Sequence, residues 1–142
     1  MSSLNLLNGL LKALQRSRKL GGVGNKAVQK TQNIVESARK SGIGNKISTT
    51  LITASAPHKS GSTNLGHKFQ KHSARNPGTW GKLTGTADTW HSQGIKHFYD
   101  VLNGPGKFQA VKSGNISFLE KRLSDGRGVR LNMDGSFKTF ID

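Results

Sequence analysis

Cysteine is absent from this chain of 142 residues, and carboxylates are scarce, with 7 Asp plus Glu. Without thiols, neither a disulfide framework nor a thiolate metal site can form. No Asp/Glu pair has a spacing that favours a glycosidase or a carboxylate-bound metal, so neither a metal site nor a cofactor is predicted. The chain also lacks an apolar run of about 18 residues, which excludes a helix that spans a bilayer.

Positive charge is abundant. Lys plus Arg number 22, the formal net charge is +15 and the isoelectric point is about 10.8. This excess predicts a polyanionic partner: nucleic acid, an anionic membrane surface or an acidic protein. Basic residues from Lys12 to Lys19 follow the first apolar stretch instead of preceding it. A secretory signal is therefore not expected, and export would need another route or a larger parent chain.

Aromatic residues divide the chain into two parts. None occurs in residues 1–60, whereas both Trp, the Tyr and all six Phe fall after residue 65. Because aromatics supply much of the buried area of a small core, we expect the core in the second part. The Pro/Gly/Ser-rich stretch Ala56–Asn64 has the composition of a linker. We therefore predict a basic, partly helical entry or linker segment over residues 1–63 and a compact domain over residues 64–142.

Two kinds of pattern occur in the first part. Leucines from Leu4 to Leu14 recur at helical spacing, which indicates a helix that packs on protein or binds a membrane surface. Two similar pentapeptides, Gly22–Lys26 and Gly42–Lys46, only partly match phosphate-binding glycine loops. Neither completes such a motif, so we interpret them as turns and helix caps on either side of a polar helix over Ala27–Lys40.

The second part predicts helices followed by strands. Apolar residues recur at helical spacing in Leu65–Ser73 and in Thr89–Asn103. Two Asp-Gly pairs, at residues 125–126 and 134–135, then indicate hairpins. The predicted strands are Phe108–Val111, Ile116–Leu123, Val129–Asn132 and Phe137–Ile141. The expected fold class is α+β, with a helical N-terminal part packed on a roughly four-stranded antiparallel β-meander.

The side chains of this second part suit RNA cleavage without a metal. Such cleavage needs a base for the ribose 2′-OH, cations that stabilise the phosphorane, and an acid for the leaving 5′ oxygen. Histidine can be base or acid near neutral pH, and Lys and Arg stabilise phosphate charge. The candidate catalytic residues are His67, Lys71, His72, Glu120, Arg122, Arg130, Lys138 and Thr139. The candidate RNA-binding residues are Lys68, Arg75, Lys121 and Arg127.

Strand alternation predicts which of these candidate residues share a face of the sheet. Glu120 and Arg122 share one face of their strand, and Lys121 lies on the opposite face. If Leu131 faces the core, Arg130 faces a groove or solvent. The last strand is partly apolar on both faces, so its alternation assigns neither face to the core.

Four further residues are weaker candidates for a site. His91 lies beside Trp90 on the second predicted helix, whereas His97 is expected to pack beside aromatic residues or lie at the surface. Trp80 and Trp90 could stack on bases, but packing in the core is the favoured interpretation.

The second part also resembles a known class of proteins. The features are H-K-F-Q-K-H at His67–His72, the helix His91–Leu102 and the closing run Phe118–Asp142. Over residues 64–142 they resemble the C-terminal toxin tips of bacterial polymorphic and contact-dependent inhibition systems. Many such tips have the barnase–EndoU–colicin–RelE-like ribonuclease fold.

The resemblance implies a metal-independent endoribonuclease, often specific for tRNA, that is exported at the end of a larger secreted or cell-surface protein. It acts in the cytoplasm of a target bacterium and is neutralised by a cognate immunity protein, which we expect to be acidic. A host translation factor is a further expected partner. Two alternatives stay open: a non-catalytic RNA- or DNA-binding protein, and a membrane-active toxin that uses the helix Leu4–Leu14.

Overall fold

A computed structural model describes residues 23–142, of which 23–28 and 30 are described by their backbone alone. Within this range, helices precede strands along the chain. The helices are α1 (Val23–Lys40), α2 (Ile47–Ser55), α3 (Asn64–Arg75), α4 (Pro77–Trp80) and α5 (Ala87–Asn103). The strands are β1 (Gln109–Ser113), β2 (Ile116–Arg122), β3 (Gly128–Asn132) and β4 (Phe137–Ile141).

Helices α3 and α5 pack closely because a glycine lies at their crossing. A Cβ atom at Gly94 would lie 2.8 Å from Cβ of Phe69 and 2.9 Å from Cδ2 of Leu65, so a larger residue would push the helices apart. Thr63 is the N-cap residue of α3, and its hydroxyl accepts a hydrogen bond from the Gly66 N–H at 3.0 Å. Helix α3 also contacts β4, and α5 contacts β3. The helix pair is thereby held at a defined position on the sheet.

The strands form one antiparallel sheet in the order β1-β2-β3-β4. Each strand pairs with its neighbour in the sequence, which is a meander. Gly126 and Gly135 in the two predicted turns have φ values of 98° and 93°, in the left-handed region that glycine adopts without strain. The predicted α+β class and the four-stranded meander are confirmed.

A β-bulge interrupts the pairing of β3 with β4. Arg130 pairs with Thr139, but the next residue, Leu131, pairs with Phe137, so Lys138 is the extra residue of β4. Consequently Phe137 faces the core and Thr139 lies on the opposite face, although they are two residues apart. Simple alternation fails in this strand, which is why the sequence pattern assigns neither face of it.

The core draws on both parts of the chain. Aliphatic residues from α1, α2 and the turn between them share one cluster with the aromatic residues of α5 and β4. Ile43, Ile47 and Ala54 are among the residues at most 1 % exposed. The N–H of Phe137 also donates to Oγ1 of Thr53 at 2.9 Å, which ties β4 to α2. The expectation of a core in the second part alone is therefore incomplete, because small aliphatic residues fill part of it. The boundary at residue 63 stays a prediction.

Some predicted segments differ in detail from the structure. Helix α5 begins two residues before the predicted Thr89, and β1 begins one residue after Phe108, whose N–H donates to Ser41 O at 2.9 Å. The stretch Ala56–Asn64 forms a closed turn in which Pro57 and Thr63 form a β-bridge. The helix expected over Leu4–Leu14 lies outside the described residues. No helix within residues 23–142 has the length and apolar character that crossing a membrane requires.

Candidate active site

A row of polar side chains crosses the face of the sheet that the helices leave open. Directly paired residues of antiparallel strands lie side by side, so Gln109, Glu120, Arg130 and Thr139 follow one another from β1 to β4. Helix α3 borders the row at its β4 end, where it contributes His72. The row therefore brings a histidine, an arginine and a carboxylate of the predicted catalytic set onto one surface.

Both ring nitrogens of His72 have hydrogen-bond partners. Nε2 lies 3.2 Å from Oγ1 of Thr139, and Nδ1 lies 3.1 Å from Oδ2 of Asp142. The Thr139 hydroxyl lies 2.9 Å from the carbonyl oxygen of Phe140. When the hydroxyl donates to that carbonyl, its oxygen accepts from Nε2–H, while the carboxylate accepts from Nδ1–H. Nε2 also lies 3.5 Å from a guanidinium nitrogen of Arg75, so the Asp142 carboxylate faces Nδ1, and Thr139 and Arg75 face Nε2.

Asp142 is held in place by the core. Nε1 of Trp80, a residue only 1 % exposed, donates to Oδ2 of Asp142 at 2.8 Å. Burial raises the pKa of Asp142, but hydrogen bonds from Trp80, His72 and Asn76 lower it by more. The resulting pKa therefore lies below the usual value. The carboxylate is therefore ionised at neutral pH and fixes the orientation of the imidazole.

Arg130 and Glu120 form an ion pair in the centre of the row. Nε of Arg130 donates to Oε2 of Glu120 at 2.5 Å, and a terminal guanidinium nitrogen reaches the same oxygen. The guanidinium carbon also lies 4.9 Å from the centroid of the Phe118 ring, a cation–π contact. Oε1 of Glu120 does not bind Arg130 and lies 3.9 Å from a guanidinium nitrogen of Arg122. The buried carboxylate thus holds Arg130 at one oxygen and faces Arg122 with the other.

A basic cleft of about 470 Å³ lies beside His72, between α3 and β4. Its lining holds three cations from α3 and no carboxylate; the residues are Lys68, Gln70, Lys71, His72, Ala74, Arg75 and Thr139. Burial lowers the pKa of Lys68, and the charges of Lys71, Lys138 and Arg75 lower it further. Crowded cations of this kind repel one another, so the cleft favours an anion such as phosphate.

The other predicted catalytic histidine, His67, lies apart from this row. Its ring stacks on that of His58 with a centroid distance of 3.8 Å. Burial lowers the pKa of His67, and the neighbouring His58 and Lys71 lower it further. It lines neither the row nor the cleft because residues five apart on a helix point in different directions. Among residues 23–142, no three His, Asp or Glu side chains lie close enough together to hold a metal ion.

Lys121, which the sequence predicted to bind RNA, lies on the opposite face of the sheet. It is 3 % exposed, and its ammonium group donates to Oγ of Ser41 at 2.9 Å, to Leu102 O at 3.0 Å and to Gly104 O at 2.8 Å. These carbonyls belong to the C-terminal end of α5. Lys121 therefore donates hydrogen bonds to carbonyl groups at the end of α5 and joins this helix to the sheet.

Arg127, also predicted to bind RNA, is occupied by acidic partners. Its guanidinium nitrogens lie 2.7 Å from Oδ2 of Asp100 and 2.8 Å from Oδ2 of Asp125. A further contact, 3.0 Å long, joins it to Nδ1 of His97, whose ring stacks on Phe69 in the core. Arg127 and His97 thus form a structural cluster that links α5 to the turn before β3.

The sequence reasoning misses Asp142 as a site residue, and it misses the hydrogen bond by which Trp80 holds it. A lone carboxylate after the last strand has no local partner, since His72 and Trp80 precede it by 70 and 62 residues. Trp80 lies in the core, as predicted, but its indole N–H also reaches the site. Trp90 is half-buried, and His91 binds the N-cap residue Thr63 through Nδ1 at 2.6 Å.

Comparisons with known proteins identify a family for the chain. Residues 51–142 match the family model described as the CdiA C-terminal tRNase toxin domain. A crystal structure of the toxic C-terminal tip of CdiA from Pseudomonas aeruginosa, in complex with an immune protein, shares 51 % sequence identity with the chain. The match covers 64 % of this chain and 99 % of that one, with a TM-score of 0.62. No curated protein matches. The chain therefore belongs to the CdiA C-terminal tRNase toxin domain family, a class of tRNA-cleaving toxins.

Proposed function

We propose that this toxin cleaves tRNA by metal-independent transesterification, with Glu120 as base, Arg130 as phosphate ligand and His72 as acid. The observation that carries the proposal is the order of these residues on the sheet. Arg130 lies between Glu120 on one side and Thr139 with His72 on the other. An in-line displacement needs a base and an acid on opposite sides of phosphorus, with a cation at the phosphate between them.

Glu120 supports the base role through Oε1, the carboxylate oxygen that Arg130 does not hold. Oε2 holds Arg130, and Oε1 is left to take the proton of the ribose 2′-OH. The 2′ oxygen then attacks phosphorus, and the bond from phosphorus to the 5′ oxygen breaks. The same carboxylate aims Arg130 at the phosphate, so one residue prepares both the nucleophile and the cation.

His72 supports the acid role through its hydrogen bonds. Asp142 lies at Nδ1, and Nε2, which would carry the transferred proton, faces Thr139 in the direction of the row. A leaving 5′ oxygen beside Thr139 would accept the Nε2 proton. The products would carry a 2′,3′-cyclic phosphate on one fragment and a 5′-OH on the other, since no water enters this step.

The basic cleft beside His72 extends the binding surface for RNA. Lys68, Lys71 and Arg75 line it, and Lys138 lies near enough to lower the pKa of Lys68. These cations would hold phosphates next to the scissile one, which gives binding with a strong salt dependence. Among the predicted site residues, Lys121 and Arg127 have protein partners instead and are not part of this surface.

The proposed biological setting follows from the family and the related structure. The Pseudomonas aeruginosa relative is the C-terminal tip of CdiA and binds an immune protein. By analogy, this chain would be delivered as the end of a larger cell-surface protein and act in the cytoplasm of the target cell. A cognate immunity protein rich in acidic residues would fit the basic cleft. A host translation factor as partner stays a prediction.

The test is the cleavage of purified tRNA by the full chain and by matched variants. We expect His72→Ala and Glu120→Gln each to lower kcat/KM by about 10²–10⁴-fold, the usual contribution of general acid–base catalysis. His67→Ala, a histidine of the same helix outside the row, should retain wild-type activity. Cleavage should persist in EDTA and leave a 2′,3′-cyclic phosphate.

Three results would contradict the proposal. Unchanged cleavage by His72→Ala or Glu120→Gln would remove those residues from the mechanism. Loss of cleavage in EDTA, restored by a divalent cation, would assign the chemistry to a metal. Tight binding of tRNA with no cleavage under any condition would favour the non-catalytic RNA-binding alternative.

A further inference from the structure

We infer that a hollow at the β1 end of the polar row binds the base of the nucleotide whose 2′-OH attacks, and that Gln109 selects this base. The inference rests on the proposed function, because it takes Glu120 as the base for the 2′-OH. The hollow has a volume of about 310 Å³ and is lined by Lys107, Gln109, Val111, Glu120, Lys121 and Arg122. None of these residues except Glu120 has a part in the proton transfers.

The position of the hollow follows from strand pairing. Gln109 of β1 is the direct partner of Glu120 of β2, and Val111 is the partner of Phe118. Paired side chains on one sheet face lie about 5 Å apart. A ribose whose 2′-OH meets Glu120 would therefore place its base next to Gln109. The RNA strand would continue from this nucleotide past Arg130 towards the basic cleft.

The chemistry of the hollow fits a base better than a phosphate. The Gln109 carboxamide has a donor and an acceptor group, and no other residue among 23–142 forms a hydrogen bond with it. Val111 is an apolar side chain with 36 % of its surface exposed, in a strand that is exposed along its whole length. An amide beside an apolar surface matches the polar edge and the flat face of a nucleobase.

Two of the charged residues that line the hollow, Arg122 and Lys107, lie at its rim, whereas Glu120 and Lys121 are buried. Arg122 is half exposed, with 52 % of its side-chain surface accessible, and Lys107 is exposed as well. Both can hold the sugar–phosphate chain from outside while the base enters between them. The cation-lined cleft at the other end of the row lacks an exposed apolar strand of this kind. The two ends of the row therefore differ in what they recognise, phosphate at α3 and base at β1.

The test measures base preference without cleavage. The four nucleoside 3′-monophosphates are titrated into the ¹⁵N,¹³C-labelled full chain carrying His72→Ala, and chemical shifts are followed. We expect the Gln109 side-chain amide and the Val111 methyl groups to shift, with Kd differing by about tenfold or more between the best and the worst base. Gln109→Ala should bring the four Kd values together. Gln32→Ala, an exposed glutamine on α1, serves as the matched control and should leave them unchanged.

Three outcomes would overturn the inference. Equal affinities for all four bases would exclude selection, and shifts confined to Arg130 and α3 would show that only phosphate binds. Unchanged base preference in Gln109→Ala would remove this residue as the selecting group. Failure of the proposed function is seen separately, as full tRNA cleavage by His72→Ala or Glu120→Gln, since nucleotide binding is measured without any cleavage step.

Discussion

Replacing Asp142 by asparagine tests whether the negative charge of this residue orients His72, because the substitution keeps the hydrogen bond to Trp80 in the core. The asparagine side chain would keep an oxygen that can accept from Nε1 of Trp80, which donates to Asp142 at 2.8 Å. It would lack the negative charge that Asp142 places 3.1 Å from Nδ1 of His72. We therefore expect a folded protein with a weakened catalytic acid.

The magnitude follows from the kind of hydrogen bond that is exchanged. A hydrogen bond to a charged group contributes about 1.5–3 kcal/mol, and one between neutral groups contributes about 0.5–1.5 kcal/mol. The difference of about 1.4 kcal/mol corresponds to about tenfold in rate. Asp142→Asn should thus lower kcat/KM for tRNA cleavage about tenfold and lower the free energy of unfolding by no more than about 1.4 kcal/mol.

Asp142→Ala serves as the contrasting variant. It leaves the buried indole N–H of Trp80 without an acceptor, so the free energy of unfolding should fall by about 1–3 kcal/mol in addition to the loss of activity. Urea denaturation and a gel-based cleavage assay measure the two quantities. Wild-type kcat/KM in Asp142→Asn would refute the role of the carboxylate in orienting His72.

The same variant has a defined effect at acid pH. The pKa of Asp142 in the folded state lies below the usual value of 3.8, so folding favours the ionised form. Its contribution to stability is present above the unfolded pKa and disappears as the pH falls through the folded one. Asp142→Asn should therefore lose less stability than the wild type on acidification below about pH 4. An equal loss in both proteins would show that Asp142 titrates as in the unfolded chain.

Two further predictions concern lysines with opposite surroundings. Lys121→Met keeps most of the buried stem but removes the donor to Ser41 Oγ and Gly104 O, whereas Leu102 O keeps the Ser41 hydroxyl as a donor. It should lower the free energy of unfolding by about 2 kcal/mol in urea denaturation and leave kcat/KM of the folded fraction unchanged; a large loss of activity would give Lys121 a direct role in the site. Lys68→Ala should reduce the slope of log K against log salt for tRNA binding by about 0.7–0.9, as expected for one lost phosphate contact. An unchanged slope would show that Lys68 touches no phosphate.

The arrangement of helices and strands could be predicted because its signals are local. Asp-Gly pairs mark the hairpins, and helical spacing of apolar residues marks α3 and α5. Alternation within β2 and β3 also places Glu120 and Arg130 on faces that the structure brings together. Each of these predictions depends on residues that lie within a few positions of one another in the sequence.

The rest of the site depends on distant or irregular features. No local pattern marks Lys138 as a bulge residue, yet the bulge places Thr139 beside His72 instead of on the face of Phe137. Lys121 has the same local pattern as a solvated lysine. Only the α5 carbonyl groups, which come from about twenty residues earlier in the chain, make it a buried one. His67 and His72 are equivalent in the sequence, and tertiary packing separates them.

The meander has a consequence for the order in which the enzyme is built during folding. Glu120 and Arg130 are ten residues apart in one hairpin, so the contact between them closes only a short loop of the chain. His72 and Asp142 are 70 residues apart and meet only after the helices have docked on the sheet. Short loops close before long ones because the entropy cost of closure rises with loop length. We expect the hairpin that carries Glu120 and Arg130 to form first, so that the proposed base and phosphate ligand are paired before the catalytic acid is in place.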